Sequence, residues 1–541
     1  MAESARAAAL RAPVPAKARA PAGAEHNATL GDWIAVIAGA LGALMATLDI
    51  SITNSALPQI QGEIGATGTE GTWISTGYLM SEIVMIPLAA WLTRVFGLRS
   101  FLLTNTVLFT AFSIMCGLSH SLTQMIIGRI GQGFAGGAMI PTAQTIVRTR
   151  LPAHQMPIGM TLFGLIVLTG PLLGPVAGGT LAERIDWSWC FFVNVPVGVM
   201  LVALLYAGLP KSPHDWHQFV NADWLGIVGL SAGLSSLTVV LEEGQRENWF
   251  DSSMIVWLSV LTVAGIGTLI VAQFTAKRPV VRLSLLANKS YASVIFIVFI
   301  VGAGLYCVSY LVPQFLAGIS GYNAEQSGSI MLLSGLPAFA MIPILPRMLS
   351  RIDARVMVIC GLLFFAVSCM TDITLTAQSV GHDFYVSQVL RGVGQMLAMM
   401  PLNQTSMAAV SREEAGDAAG LYNMARNLGG SVGLALLGVY IDRRNALHDA
   451  VIRDSVTANS LAGQEHLATT SAGFMAQHGD KAYAHMQALG QLAGEMQQQA
   501  AVITYSETFY VLGIALLLCI PIALLLRKPK PGTGLMQGGG H

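Results

Sequence analysis

Fourteen separate runs of about twenty or more mostly apolar residues lie between positions 32 and 526, and a helix needs about 20 such residues to cross the hydrocarbon of a bilayer. In that medium every backbone polar group must be paired internally, so runs of this length and number specify a bundle of membrane-spanning helices. Composition agrees: 53% of the 541 residues are hydrophobic and 11% are charged, against about 25% charged in an ordinary soluble domain. A soluble single domain, a disordered chain and a nucleic-acid binder are thereby excluded. The six cysteines all fall in or at the ends of apolar runs and read as small buried hydrophobes.

Charge placement sets the expected orientation. With alternating sides and a cytoplasmic N-terminus, twenty lysines and arginines fall in internal loops and tails and two, Arg184 and Arg246, in short external loops. The positive-inside rule therefore predicts fourteen spans with both termini cytoplasmic. Residues 1–31, Ala/Pro-rich and without an apolar segment long enough for a signal sequence, read as a disordered cytoplasmic tail, and 527–541 as a second tail.

A repeat appears at an offset near 260 residues. Ala138-Met-Ile-Pro141 through Gln144-Thr145 in span 4 (122–147) matches Ala398-Met-Met-Pro401 through Gln404-Thr405 in span 12 (382–409), and Arg129 is followed by Gln132 much as Arg391 is by Gln395. Spans 1–6 and 9–14 thus read as homologous halves: a six-helix bundle over 32–210, a linker with spans 7 and 8 over 211–288, and a second six-helix bundle over 289–526. Repeats of this kind place a substrate site at the interface of the halves, near mid-membrane. The stretch 442–502 is the one sizeable aqueous segment. Within it Tyr483, Met486, Leu489, Leu492 and Met496 share one helical face, suited either to packing on the protein's own external surface or to docking a periplasmic partner.

An ionisable residue inside a span costs several kcal/mol, about 2.5 to 3.5 on insertion scales, and is a functional candidate by default. Asp49 in span 1, Glu82 in span 2 and Arg129 in span 4 fall at one depth. Burial and a neighbouring cation act oppositely on a carboxyl's hold on its proton, so this group can load and release one; a static ion pair fixing helix packing is the alternative. Arg391 falls at the corresponding level of span 12, and Arg426 lies deep in span 13 (416–441), suited to an anionic partner or to packing. Asp372, Glu242, Glu243 and Asp417 sit at span ends and read as solvated or capping. A substrate cavity is expected to draw on Asn54, Tyr306, Tyr310, Arg391, Met396, Met399 and Arg426, because aromatic and methionine side chains adapt to many shapes. In span 5 (155–181), Gly170, Gly174 and Gly178 leave one helical face bare while Pro171 and Pro175 remove backbone donors. That combination suits a hinge, or else a fixed kink. No metal, cofactor or nucleophile pattern is evident.

The run from Leu48-Asp49 to Asn54 and Pro58, Arg129-Ile-Gly131-Gln132-Gly133, the Gly-Pro run of span 5 and Trp187-Ser-Trp189 through Asn194 to Gly198 together resemble the major facilitator superfamily, more narrowly its fourteen-span drug:proton antiporter branch of the EmrB and QacA type. The resemblance implies an all-α fold of two six-helix bundles plus two linker helices, and export of drug-like amphipathic compounds from the bacterial inner membrane driven by inward proton flow. It assigns Asp49 and Arg129 to coupling, and implies an EmrA-like periplasmic adaptor and an outer-membrane channel as partners in a two-membrane host. One position departs from the family: Arg94, in Ala90-Trp91-Leu-Thr-Arg94-Val-Phe-Gly97, stands where an acidic residue is usual, so a cytoplasmic gate built on that acid must be different or absent here. A non-transporting sensor or scaffold acting through 442–502 and a proton-coupled nutrient importer are the competing readings.

Overall fold

The computed structural model describes residues 27–526 apart from 153, 277–278, 342–343, 412, 457–459 and 479; most of the first tail and all of the second lie outside the described residues. All regular elements among these residues are helices. Among the described residues seven helices of twelve residues or more come first: α1 (Leu30–Ile64), α2 (Trp73–Phe96), α3 (Leu98–Gly117), α4 (Leu122–Gly136), α5 (Met139–Arg150), α6 (Met156–Arg184) and α7 (Asn194–Gly208). Then come α8 (Trp224–Glu243) and α9 (Ser253–Thr275). The remainder comprises α10 (Lys289–Gly318), α11 (Ala324–Leu332), α12 (Gly335–Met341), α13 (Leu345–Arg351), α14 (Ala354–Thr371), α15 (Tyr385–Ala408), α16 (Ala415–Ser455), α17 (Leu461–His478) and α18 (Lys481–Leu518).

Eleven of the described helices are long and apolar enough to cross a membrane. The other three runs expected to span are helical too, for identifiable reasons short of that standard. The run 122–147 is divided at Gly137-Ala138 into α4 and α5, and 324–347 is divided into α11, α12 and α13. The third, α15, is continuous, but it carries Gln388, Arg391, Gln395, Asn403 and Gln404.

One hydrophobic core gathers side chains of α1 to α7 and takes in Leu230 and Leu234 of α8 and Ala415–Leu421 of α16. A second is built from α10, α14, α15, α16 and α18, around Phe315, Phe365, Phe384 and Phe509. Across the divide, α2 and α5 pack on α16, and α6 packs on α11, α12, α13 and α15.

Helix α16 runs on well past the apolar stretch, and α17 folds back against α18, so that the described residues of 442–502 form a helical projection. The 22 residues from Lys481 to Val502 extend α18 by about 33 Å. Glu507 of α18 clasps α16 by accepting from Arg444 (2.5 and 2.7 Å) and His448 (2.9 Å), and His466 of α17 meets Glu495 of α18 at 3.1 Å. Of the shared apolar face, Leu492 and Met496 are half-buried and the other three residues lie exposed. Ala484 and Ala488 are buried, while Tyr483, Met486 and Leu489 are 54%, 73% and 45% exposed, because small residues let two helices approach closely and leave the large apolar ones outside.

Candidate functional site

Polar residues on five otherwise apolar segments converge on Asp49 of α1, which is fully buried. One carboxylate oxygen accepts from the Arg129 guanidinium of α4; the other accepts from Gln132 Nε2 (3.0 Å) and from Asn194 Nδ2 of α7 (2.7 Å). Arg129 donates further to the Ile74 carbonyl of α2 (3.2 Å) and to Gln132 Oε1 (3.1 Å), and stacks over the Tyr78 ring at 4.4 Å. Ser113 of α3 closes the network, accepting from Gln132 and Asn194. A buried charge is tolerable when it is paired and every remaining polar atom is hydrogen-bonded, and Asp49 meets that condition.

Glu82 does not. It is 3% exposed, which places it inside the protein and not against lipid, and among the described residues its carboxylate makes no hydrogen bond or ion pair. Its backbone packs against Gly137, at the α4–α5 break. The charges that act on it are Arg426 of α16, on the opposite side of the divide, and Arg129. Arg426 is half-buried and its only hydrogen bonds among the described residues are long ones, 3.4 Å to Asn427. Tyr306 of α10 lies within electrostatic range of both Arg426 and Glu82, its ring laid so closely on Gly430 that a side-chain carbon there would sit 2.6 Å from it.

Other expected cavity residues are distributed differently. Tyr310 follows Tyr306 by about one turn and is 46% exposed. Asn54 is exposed and accepts from Ser75 at 2.7 Å, tying α1 to α2. Met399 is half-buried, with its carbonyl facing the Tyr422 hydroxyl at 3.4 Å. Met396 belongs to a small packed core with Leu345, Met357, Leu397 and Met400, so it fills space between α13, α14 and α15 in place of lining a cavity. Arg391 is likewise withdrawn: it pairs with Asp372 at 3.2 Å inside the second core region. Asp372 stands at the cap position that ends α14 but is not solvated, being 1% exposed. Two further span-end acids are likewise buried and not solvated. Glu243, 3% exposed, accepts from Thr72 and Thr76 of α2, and Asp417, 5% exposed, binds Arg94 and Arg282. Each has an arginine or hydroxyl partner far away in sequence, which the depth of the residue within its own span does not reveal.

The glycine ridge of α6 faces α1. Side-chain carbons added at Gly170, Gly174 and Gly178 would lie 2.3 Å from Thr47 Oγ1, 2.3 Å from Ser51 Cβ and 2.6 Å from the Ile52 carbonyl. Proline nitrogens cannot donate, so Pro171 and Pro175 strand the carbonyls four residues back. Thr47 Oγ1 donates to the first of these, on Val167 (3.3 Å), and Ser51 Oγ to the second, on Pro171 (3.4 Å). The helix stays continuous from Met156 to Arg184, and the ridge docks it beside Asp49 and away from the divide. Contact across the divide uses other positions, Gly164 against Met400 and Pro175 against Gly328.

At the end of the bundle opposite the hairpin, Arg94 of α2 donates to both carboxylate oxygens of Asp417 on α16 (3.0 and 3.2 Å). Arg282 reaches Asp417 at 3.2 Å and Glu414 at 3.7 Å, and Asn423 of α16 donates to Gln144 of α5 (2.8 Å). These contacts join the two sides of the divide.

The sequence profile of the Major Facilitator Superfamily matches residues 39–434. The chain is 29% identical over 499 residues to the colistin resistance protein EmrB of Acinetobacter baumannii, covering 92% of this chain and 97% of that one. It is also 29% identical over 511 residues to the multidrug export protein EmrB of Escherichia coli K12, covering 94% and 98%. Among solved structures, a double-tryptophan variant of XylE superimposes with a TM-score of 0.58 at 13% identity, over 93% of this chain and 97% of that one, a likeness of fold.

Proposed function

Because the chain belongs to the major facilitator superfamily, a family of transporters and not of enzymes, we propose that it is a proton-coupled antiporter that exports drug-like amphipathic compounds by alternating access. Multidrug export is what the name of the Escherichia coli relative describes, and colistin resistance what that of the Acinetobacter baumannii relative describes. The proposal extends to fourteen spans in a bacterial inner membrane, both termini cytoplasmic and the hairpin outside. The bundles are 32–210 and 289–526, the linker 211–288.

The observation that carries the coupling is Glu82: a buried carboxylate with no hydrogen-bond partner among the described residues, within electrostatic range of both Arg129 of the satisfied Asp49 network and Arg426 across the divide. Protonation of Glu82 removes its attraction for Arg426 and so changes how strongly the halves hold together. A proton crossing 100 mV supplies about 2.3 kcal/mol, enough to drive the change of state. In inverted vesicles carrying a pH gradient, adding a substrate should release protons from the lumen. Glu82→Gln is expected to weaken this release severalfold and to alter which compounds elicit it. Release identical to wild type for every compound would remove Glu82 from the coupling.

Exposed Tyr483, Met486 and Leu489 on a projection about 33 Å long suit contact with a periplasmic adaptor of the EmrA type, leading to an outer-membrane channel. Deleting 445–498 should spare substrate binding by purified protein and impair resistance of whole cells. Unchanged resistance and unchanged cross-linking to the adaptor would show the hairpin to be dispensable.

A further inference from the structure

Helix α8 breaks a local rule at its end. Glu242 and Glu243 are its last two residues, where the helix dipole and unpaired carbonyls disfavour negative charge. Apart from Arg246, 3.7 Å from Glu243 in the loop just beyond α8, their partners lie on other helices, and on opposite sides of the divide. Glu243 accepts from Thr72 (3.1 Å) and Thr76 (2.6 Å) of α2. Glu242 accepts from Ser431 of α16 (2.8 Å). Gln245, just beyond the helix, donates to Asp442 of α16 (2.7 Å), and its Oε1 lies so close to α16 that a side-chain carbon at Gly438 would stand 1.7 Å from it.

The two attachments differ in strength. The grip on α2 is buried, and it is repeated at the other end of α8, where Trp91 of α2 meets Trp224 (6.1 Å) and stacks on Phe219 (6.0 Å); Trp91 Nε1 also donates to the Gln218 carbonyl (3.4 Å). Among the described residues the side-chain hydrogen bonds from α8 and the turn after it to α16 are confined to the hairpin end. Helix α9 follows α8, because Gly229, Gly233 and Gly265 bring the two backbones together and Ser236 bonds Thr262 at 2.9 Å.

We infer that α8 and α9 form a unit carried by the N-terminal half through Glu243, and that Glu242 and Gln245 form a releasable latch on α16, positioning the helix that carries Arg426 against the one that carries Glu82. Ser431 lies five residues beyond Arg426 on α16, and Thr76 lies six before Glu82 on α2, so the latch sets the separation of those two charges. Its release during a cycle rests on the alternating-access reading; the difference between its two attachments does not.

Spin labels at exposed Asp251, Leu118 and Gln378 report the two attachments separately in the purified full chain, with no substrate required. Removing the latch with Ser431→Ala and Gln245→Ala should enlarge the longer-distance population of the 251–378 pair by about tenfold, the effect of one to two ordinary hydrogen bonds. The 251–118 pair should not move, and Ser431→Thr, which keeps the hydroxyl, should restore the original distribution when combined with native Gln245. Glu243→Ala should instead broaden the 251–118 pair, with Glu243→Gln rescuing it. A 251–118 distance that shifts when the latch is removed, or a 251–378 distribution that stays unchanged, would overturn the assignment. Efflux measured on the same labelled proteins tests the export reading on its own, since the distances do not depend on transport.

Discussion

Asp49→Asn is expected to abolish proton-coupled export. The amide keeps the size of the side chain and loses the titrating charge, but the structure adds a second consequence. Asp49 is an acceptor for Arg129, Gln132 and Asn194 at once, so an amide nitrogen in its place must face at least one of these donors, and the fully buried Arg129 is left without its counter-ion. Removing one partner of a buried pair costs about 3 to 5 kcal/mol, so lower protein levels are expected alongside lost transport. The double variant Asp49→Asn with Arg129→Gln removes the stranded charge and should recover level and thermal stability while efflux stays absent. Substrate efflux, membrane abundance and melting temperature measured on both variants separate coupling from folding. Near-normal efflux by the single variant would exclude Asp49 from the mechanism.

What was legible in the sequence followed from medium and depth. Apolar run length predicted helices because a bilayer leaves few alternatives, and depth brought Asp49 and Arg129 to one level, where they meet. Depth says nothing of which way a side chain points around its helix. That is why Met396 and Arg391 looked like cavity residues and proved to be packed against their own side of the divide, and why Glu243 and Asp417 looked like caps and proved to be cross-links. Gln132 and Asn194 stood inside motifs already noticed, yet their role as ligands of Asp49 needed the third dimension. Their signal was present: an amide on an apolar span must find a partner. The hairpin shows the same limit from another side, since a shared apolar face at Tyr483 and Met486 does not reveal that Ala484 and Ala488 make the closer packing.

The largest effect on conformation is expected at Arg94 and Asp417. The sequence has a base where the family resemblance leads one to expect an acid, and the structure supplies the acid from the other side: Asp417, in the first turn of α16, where negative charge is favoured by the helix dipole. An ion pair thus crosses the divide here, with the base on α2 and the acid on α16. Asp417 is nearly inaccessible and also serves Arg282, so Asp417→Asn leaves Arg94 without a counter-ion and Arg282 with Glu414 at 3.7 Å as its remaining one, two guanidinium groups at the junction of the halves. A change of about 1 to 3 kcal/mol in the balance of two states corresponds to about a 5- to 150-fold shift in their populations. Accessibility of a cysteine introduced at Gly416, which packs on Ala90 across the junction, reports that shift. Labelling there should rise by about tenfold or more in Asp417→Asn, and export should fall because the junction no longer closes. Exchanging the charges, Arg94→Asp with Asp417→Arg, should recover part of the export. Recovery should be incomplete, because Arg282 then faces a new arginine at position 417, and adding Arg282→Gln should improve it further. If the exchange gives no recovery while both single variants reach the membrane at normal levels, the ion pair is incidental to closure and the contacts at Gly416 and between Asn423 and Gln144 hold the junction without it.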